Sequence, residues 1–179
     1  MFAAVRPANA RDIAPLRELA RNTFLDTYAE GCDAARIDAY IAEAYSHQAL
    51  SAALEDADIT VLLIERAGEL AGFLQLHADD ARTATFDADT LEIARLYLDR
   101  RAQGAGLGAR LIEAAAERAR TLGKRRLGLG VWRQNDRAIR FYQRQGFEIT
   151  GTHRFDFAGE IHHDYTMHRP LSHHLEIPA

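Results

Sequence analysis

Cysteine is almost absent: Cys32 stands alone among 179 residues. A single thiol excludes an internal disulfide and suits a reducing compartment. No catalytic-thiol motif surrounds it. Long apolar runs are missing too, so no segment reads as a membrane span. The opening stretch MFAAVRPANARD lacks the basic-then-apolar layout of a signal peptide. A cytoplasmic chain with no membrane partner is the expectation. Excess positive charge is also lacking. The formal net charge is −4, which points away from nucleic acid as a partner and is compatible with a cationic substrate. Metal-ligand spacing is equally scarce. The neighbours in His162-His163 and His173-His174 would point to opposite faces of a strand, so each pair is a poor bidentate site. No metal is expected.

What the chain does have is length for one domain with a real core and an ordered alternation of elements. Phe2 to Arg6 reads as a strand. Asn9, with Asp12 three residues on, forms a capping box for a helix to about Tyr28. Further helices are expected over Asp33 to Ala44 and Gln48 to Glu55. Ile59 to Arg66 and Leu70 to His77 make a hairpin around Ala67-Gly68-Glu69. Asp79 to Asp89 is a polar loop expected to be exposed. A helix from about Ala105 buries Leu107, Leu111, Ala114, Ala115 and Leu122, with Gly123 at C′. Arg126 to Trp132 is a strand with a core Trp132, and Asn135 caps a helix ending at Gly146. Phe147 to Phe157 and Ile161 to His168 form a last hairpin.

The junction from Leu91 to Arg120 carries the most information. An apolar strand meets the turn Gln103-Gly104-Ala105-Gly106-Leu107-Gly108, and the turn opens a helix. Gly104, Gly106 and Gly108 remove side chains where an anion would approach the backbone, and they permit positive φ. The free N–H groups of the helix start and its dipole favour a phosphate there. Arg100 and Arg101 stand at the mouth. Ala109-Arg110 after the last glycine excludes a Walker loop, and the glycine spacing excludes a dinucleotide fingerprint. Taken alone, the turn is also compatible with a plain strand-to-helix connection.

Leu91 to Leu98 shows a parity slip, with Leu91 and Ile93 odd but Leu96 and Leu98 even. A β-bulge near Ala94 or Arg95 would restore one apolar face and place Glu92, Arg95 and Tyr97 on the other. Burial of both faces is the competing reading. Glu92 is a carboxylate inside an apolar strand, where an unpaired charge is costly. It reads either as a general base with a raised pKa or as an ion-pair partner of Arg95. The run of Arg118, Arg120, Lys124, Arg125 and Arg126 reads as a solvated face that can also attract an anionic cofactor.

Two motifs carry a resemblance. Arg101-Ala102-Gln103-Gly104-Ala105-Gly106 resembles the Arg/Gln-x-x-Gly-x-Gly/Ala signature of the GNAT superfamily of N-acetyltransferases. Asn135-Asp136-Arg137-Ala138-Ile139-Arg140-Phe141-Tyr142, followed by Gly146-Phe147, resembles its Asn-x-x-Ala-x-x-Phe-Tyr-x-x-x-Gly-Phe element. Within the superfamily, Leu91 to Leu98, Gly128 to Trp132 and Asp164 to Met167 resemble the PaiA-like spermidine/spermine acetyltransferases. Gln143 departs from the usual lysine.

The resemblance implies one α/β domain over residues 1–170, a mixed, mostly antiparallel central sheet flanked by helices on both faces, with a loosely ordered tail over 171–179. It implies acetyl-CoA as donor and a small amine as acceptor. Tyr142 is then the acid that protonates the departing thiolate, although it also reads as a core aromatic packed on Phe147. A backbone N–H of Leu96, Tyr97 or Leu98 supplies the oxyanion donor and pairs with the pantetheine arm. Arg101, Gln103, Gly104, Ala105, Gly106, Leu107 and Gly108 hold the pyrophosphate, and Asn135 contacts the coenzyme. A polyamine acceptor is the expectation. A protein N-terminus, another small amine, or coenzyme A sensing without turnover are the alternatives. Oligomeric state is open, a homodimer included.

Overall fold

Ala94 faces no partner in the sheet. Strand β3 (Glu69–His77) pairs antiparallel with β4 (Thr90–Leu98), and the register passes from Gln75↔Arg95 directly to Leu76↔Ile93. That one extra residue is the bulge the parity slip calls for. Leu91, Ile93, Leu96 and Leu98 consequently join a single core, while Tyr97 joins the core on the opposite face.

The computed structural model describes residues 3–28, 33–78, 85–157 and 160–171. The remaining strands are β1 (Ala3–Pro7), β2 (Ile59–Arg66), β5 (Arg126–Trp132), β6 (Glu148–Phe157) and β7 (Glu160–Pro170). They assemble in the order β1-β2-β3-β4-β5-β7-β6. Every pairing is antiparallel except β4 with β5. The helices are α1 (Ile13–Tyr28), α2 (Ala34–Ala44), α3 (His47–Glu55), α4 (Leu107–Thr121) and α5 (Asp136–Arg144).

Side-chain period sorts the helices onto the two faces. Leu16, Ala20 and Phe24 of α1 pack with Ile37, Leu50 and Phe73 on one face. Leu111, Ala115 and Ala119 of α4 pack with Ile139 and Tyr142 of α5 on the other. Local signals set the ends. Asn9 and Asp12 form the expected capping box, Asp33 caps α2 and Ser46 caps α3. Ala67 and Gly68, at φ 56° and 83°, close the β2–β3 hairpin; two positive φ values suit such a tight turn.

Several expectations need correction. Leu122 is exposed rather than core, because α4 has ended before it and Gly123 turns the chain away. Ala114 is only half-buried. Phe86, inside the supposedly exposed polar loop, is buried over Gly128. The basic run is only partly a solvated face: Arg120 and Arg125 are exposed, but Arg118 donates to Thr60, Lys124 to the carbonyls of Ala78 and Ala88, and Arg126 to Asp87. Leu171 is buried and its N–H reaches the Arg125 carbonyl, so ordered chain continues past Pro170. Cys32, Glu30, residues 79–84, the 158–159 connection and the tail with His173-His174 lie outside the described residues.

Gly72 shows how tightly the bulged pair is packed. A Cβ there would overlap Leu98 Cδ2 and lie 2.7 Å from the Tyr97 carbonyl oxygen. Backbone cannot give way as a flexible side-chain end can. Gly72→Ala should therefore destabilise the fold by about 1–3 kcal/mol. Urea denaturation measures this, and an unshifted midpoint would mean that β3 and β4 separate without cost.

Candidate active site

The parallel ladder between β4 and β5 runs from Thr90↔Arg126 to Ile93↔Leu129 and goes no further. Beyond the bulge the two strands part. Leu96, Tyr97 and Leu98 keep β3 on one side and line a cavity of about 680 Å3 on the other. The cavity extends from the glycine turn, along this gap, to the far ends of β5 and β7.

At one end lies the turn. Asp99 caps a short 3-10 turn over Arg100–Ala102. Gln103 then braces the strand end, its Nε2 donating to the Leu98 carbonyl at 3.1 Å. Its Oε1 is buried without a partner. Gly104 and Gly106 have φ of 81° and 76°, and nothing lies within 4 Å of where a Cβ would stand. Gly106 is the N-cap of α4 and supplies no side-chain cap. The first N–H groups of α4 are thus left for another acceptor, as an anion site needs. Gly108 has a different reason to be glycine. Its Cβ position is 2.9 Å from the Phe141 ring, so it lets α5 close on α4.

Not every residue assigned to this turn faces the cavity. Gly104, Gly106, Leu107, Gly108 and Gln103 line it, whereas Arg101 and Ala105 do not. Arg101 folds back onto Asp99, with Nε 3.1 Å from Oδ1, and its side chain is 86% exposed. Arg100 does line the cavity. So do Arg137, Phe141 and Arg144 of α5, which sequence reasoning did not assign. Their spacing of i, i+4 and i+7 is the available signal, since it marks one helix face. Asn135 lines the wall while its Oδ1 accepts from Ala138 N at 3.0 Å.

Tyr142 combines both of its expected readings. It packs edge-on against Phe147 at 5.6 Å between ring centroids and is buried, yet it also lines the cavity. Burial alone raises its phenol above the ordinary tyrosine value. The phenol therefore stays protonated at neutral pH.

Glu92 and Arg95 do not pair with each other. Glu92 stands opposite His77, with Oε2 3.5 Å from His77 Nδ1. Arg95 donates to Gln75 Oε1 at 2.9 Å and stacks over the Tyr45 ring at 4.8 Å. Burial opposes the Arg95 charge, but the phenols of Tyr45, Tyr40 and Tyr97 outweigh it and its pKa is raised. Tyr97 is stacked on Phe73 at 5.7 Å, and burial holds its own phenol well above the usual range. Trp132, expected in the core, instead forms cavity wall beside Tyr28, 5.6 Å between centroids. Asp26 and Asp164 complete the acidic lining with Glu92. No cluster of metal-ligating side chains occurs among the described residues. Likewise, no helix among them is long and apolar enough to cross a membrane.

A splayed parallel pair, a bulge at the gap, and an uncapped glycine turn opening a helix define an acyl-transfer architecture. Residues 14–147 match the acetyltransferase (GNAT) family, and the chain belongs to that family. It is an acetyl-CoA-dependent N-acetyltransferase. Among related sequences, an uncharacterised N-acetyltransferase from the pepI 3′ region of Lactobacillus delbrueckii subsp. lactis is 29% identical over 161 residues, covering 90% of this chain and 93% of the relative. The spermidine N(1)-acetyltransferase of Thermoplasma acidophilum is 28% identical over 164 residues, covering 89% and 97%. Among solved structures, the PaiA N-acetyltransferase of Thermoplasma acidophilum in complex with coenzyme A superposes with a TM-score of 0.79 at 26% identity, covering 95% of this chain and 99% of that one.

Proposed function

We infer that the enzyme acetylates a primary amine of a small polycation of the spermidine type, by direct attack in a ternary complex. The single observation that carries this reading is the continuity of the cavity. One space joins the glycine turn, the free edge of β4, Tyr142 and three carboxylates.

The coenzyme end of the cavity suits a pyrophosphate-bearing thioester. The positive-φ glycines at 104 and 106 have open space in front of them. Leu107, Gly108 and the Asn135 side chain extend the same wall, with Arg100, Arg137 and Arg144 as cations for phosphate oxygens. Leu96, Tyr97 and Leu98 offer strand backbone to the pantetheine amides. Acetyl-CoA supplies the activated acyl group when bound there.

Each chemical requirement then has a residue. The acceptor enters as an ammonium and must lose a proton, which Glu92 accepts directly or through water. The freed amine nitrogen forms its bond to the thioester carbonyl carbon. Charge developing on the carbonyl oxygen meets a backbone N–H of the Leu96–Leu98 segment. As the C–S bond breaks, Tyr142 gives its proton to the departing sulfur, and the second proton of the newly acylated nitrogen returns to the Tyr142 phenolate, leaving a neutral amide.

Two considerations favour a polycation. The relative of 28% identity that spans nearly this whole chain is named for spermidine. Asp26, Glu92 and Asp164 all line the cavity, whereas a monoamine would satisfy only one of them. A panel of amines with thiol release as readout tests the reading. We expect kcat/KM for spermidine to exceed that for a monoamine of similar length by more than about tenfold, and to fall as salt screens the carboxylates. Equal rates for both amines, or a clear preference for a peptide N-terminus, would rule it out.

A further inference from the structure

The three cavity carboxylates do not have equal need of a cation. Asp26 is exposed, and water solvates it. Glu92 Oε2 is likewise buried without a hydrogen-bond partner, but it has the His77 ring nitrogen 3.5 Å away. Asp164 is 8% exposed, and its Oδ1 is shut off from solvent with no hydrogen-bond partner. A carboxylate left in that state is costly, so the site has an unmet demand for a donor that carries positive charge.

Strand register defines the surroundings of Asp164. Trp132 of β5 stands opposite it on one side and His153 of β6 on the other. His162 and Thr166 lie two positions away along β7, on the same face. Tyr28 of α1 is close enough to feel the Asp164 charge. Burial pushes the Asp164 carboxyl above the usual aspartate range, and His153 and His162 only pull against that. His153 itself has its ring over Gly130 and its Nδ1 3.4 Å from Thr166 Oγ1. Trp132 and Tyr28 present two electron-rich rings 5.6 Å apart, and such faces attract organic cations.

Position decides which cation. Asp164 is on β7, two strands away from β4 across β5. At roughly 4.8 Å per strand, that separation is about 10 Å, before the parting of β4 and β5 is added. An amine reacting beside the free edge of β4 therefore leaves Asp164 available to a second ammonium, one short methylene chain away.

We propose that Asp164, flanked by Trp132 and Tyr28, is the subsite that binds the non-reacting ammonium of the acceptor. This deepens the polycation reading and rests on it. Asp164 is a positioning residue: it acts on where the acceptor lies and not on the acetyl group.

The test is Asp164→Asn, which keeps shape and removes charge. Calorimetry of spermidine binding to the coenzyme A-loaded protein is the first readout. The parent should bind spermidine, and the variant should bind it about tenfold more weakly, with coenzyme A affinity unchanged as the check on folding. Kinetics give the second readout: KM for spermidine should rise about tenfold, while kcat and the KM for a monoamine change less than twofold. A parent that binds no spermidine overturns both the polycation reading and this one. Equal binding by parent and variant overturns only the Asp164 subsite. Equal KM increases for spermidine and the monoamine would also overturn it, since Asp164 would then serve the reacting nitrogen.

Discussion

Replacing Tyr142 by phenylalanine should lower kcat by about 10²–10⁴-fold, the usual loss when a general acid is removed. The acetyl-CoA dissociation constant should stay close to the parent value. The ring packs on Phe147 and beside Phe141, and phenylalanine preserves both contacts. Only the hydroxyl is lost. That hydroxyl belongs to a group whose pKa burial raises without help from any neighbouring charge or hydrogen bond. A raised phenol pKa keeps the proton in place through neutral and mildly alkaline pH, so Tyr142 limits the rate only when the solution is strongly alkaline. A purely structural Tyr142 predicts parent-like kcat, because phenylalanine keeps the packing. Steady-state rates and coenzyme titration on the same preparation separate the two. A kcat within about twofold of the parent would mean that the thiolate leaves unaided.

Much of this architecture is legible in the sequence because it is local. The bulge at Ala94 is written in the parity of Leu91, Ile93, Leu96 and Leu98, and a period-two pattern cannot hide one inserted residue. The caps at Asn9, Asp33, Ser46 and Asn135 are equally local, since each side chain bonds a backbone N–H two or three residues on. The reading fails where a residue's fate depends on distant chain. Trp132 looks like core by composition, yet it stands in the cavity wall beside Tyr28 of α1. Gly108 looks like part of the anion cradle, and only the approach of Phe141 reveals its packing role. Sharing a face makes Arg95 one candidate partner for Glu92, but register brings His77 to Glu92 and Gln75 to Arg95. Asp164 carries no local signal of burial. Its environment comes from three strands and α1.

The glycine turn gives the second large effect. Gly106→Val should weaken acetyl-CoA binding about a hundredfold, equivalent to about 2.7 kcal/mol. Valine meets one of two physical costs. Gly106 sits at φ 76°, where a β-branched residue is a genuine outlier; holding it there costs about 1–3 kcal/mol. If valine instead relaxes to negative φ, the N–H groups at the start of α4 turn away from the cavity, and the anion loses its donors. Steric overlap with the protein is not the cause, because no atom lies within 4 Å of the new Cβ. That distinction yields a control. Gly106→Ala bears a smaller positive-φ penalty because alanine is not β-branched, so it should show a smaller loss of affinity in the same direction. Gly123 also has positive φ, at 70°, and open space, but it lies at the far end of α4. Gly123→Ala should lower stability without touching coenzyme affinity. Isothermal titration of the three variants, with thermal melts beside it, decides the matter. Parent-like affinity in a folded Gly106→Val protein would remove the turn from the coenzyme site and leave it a simple strand-to-helix connection.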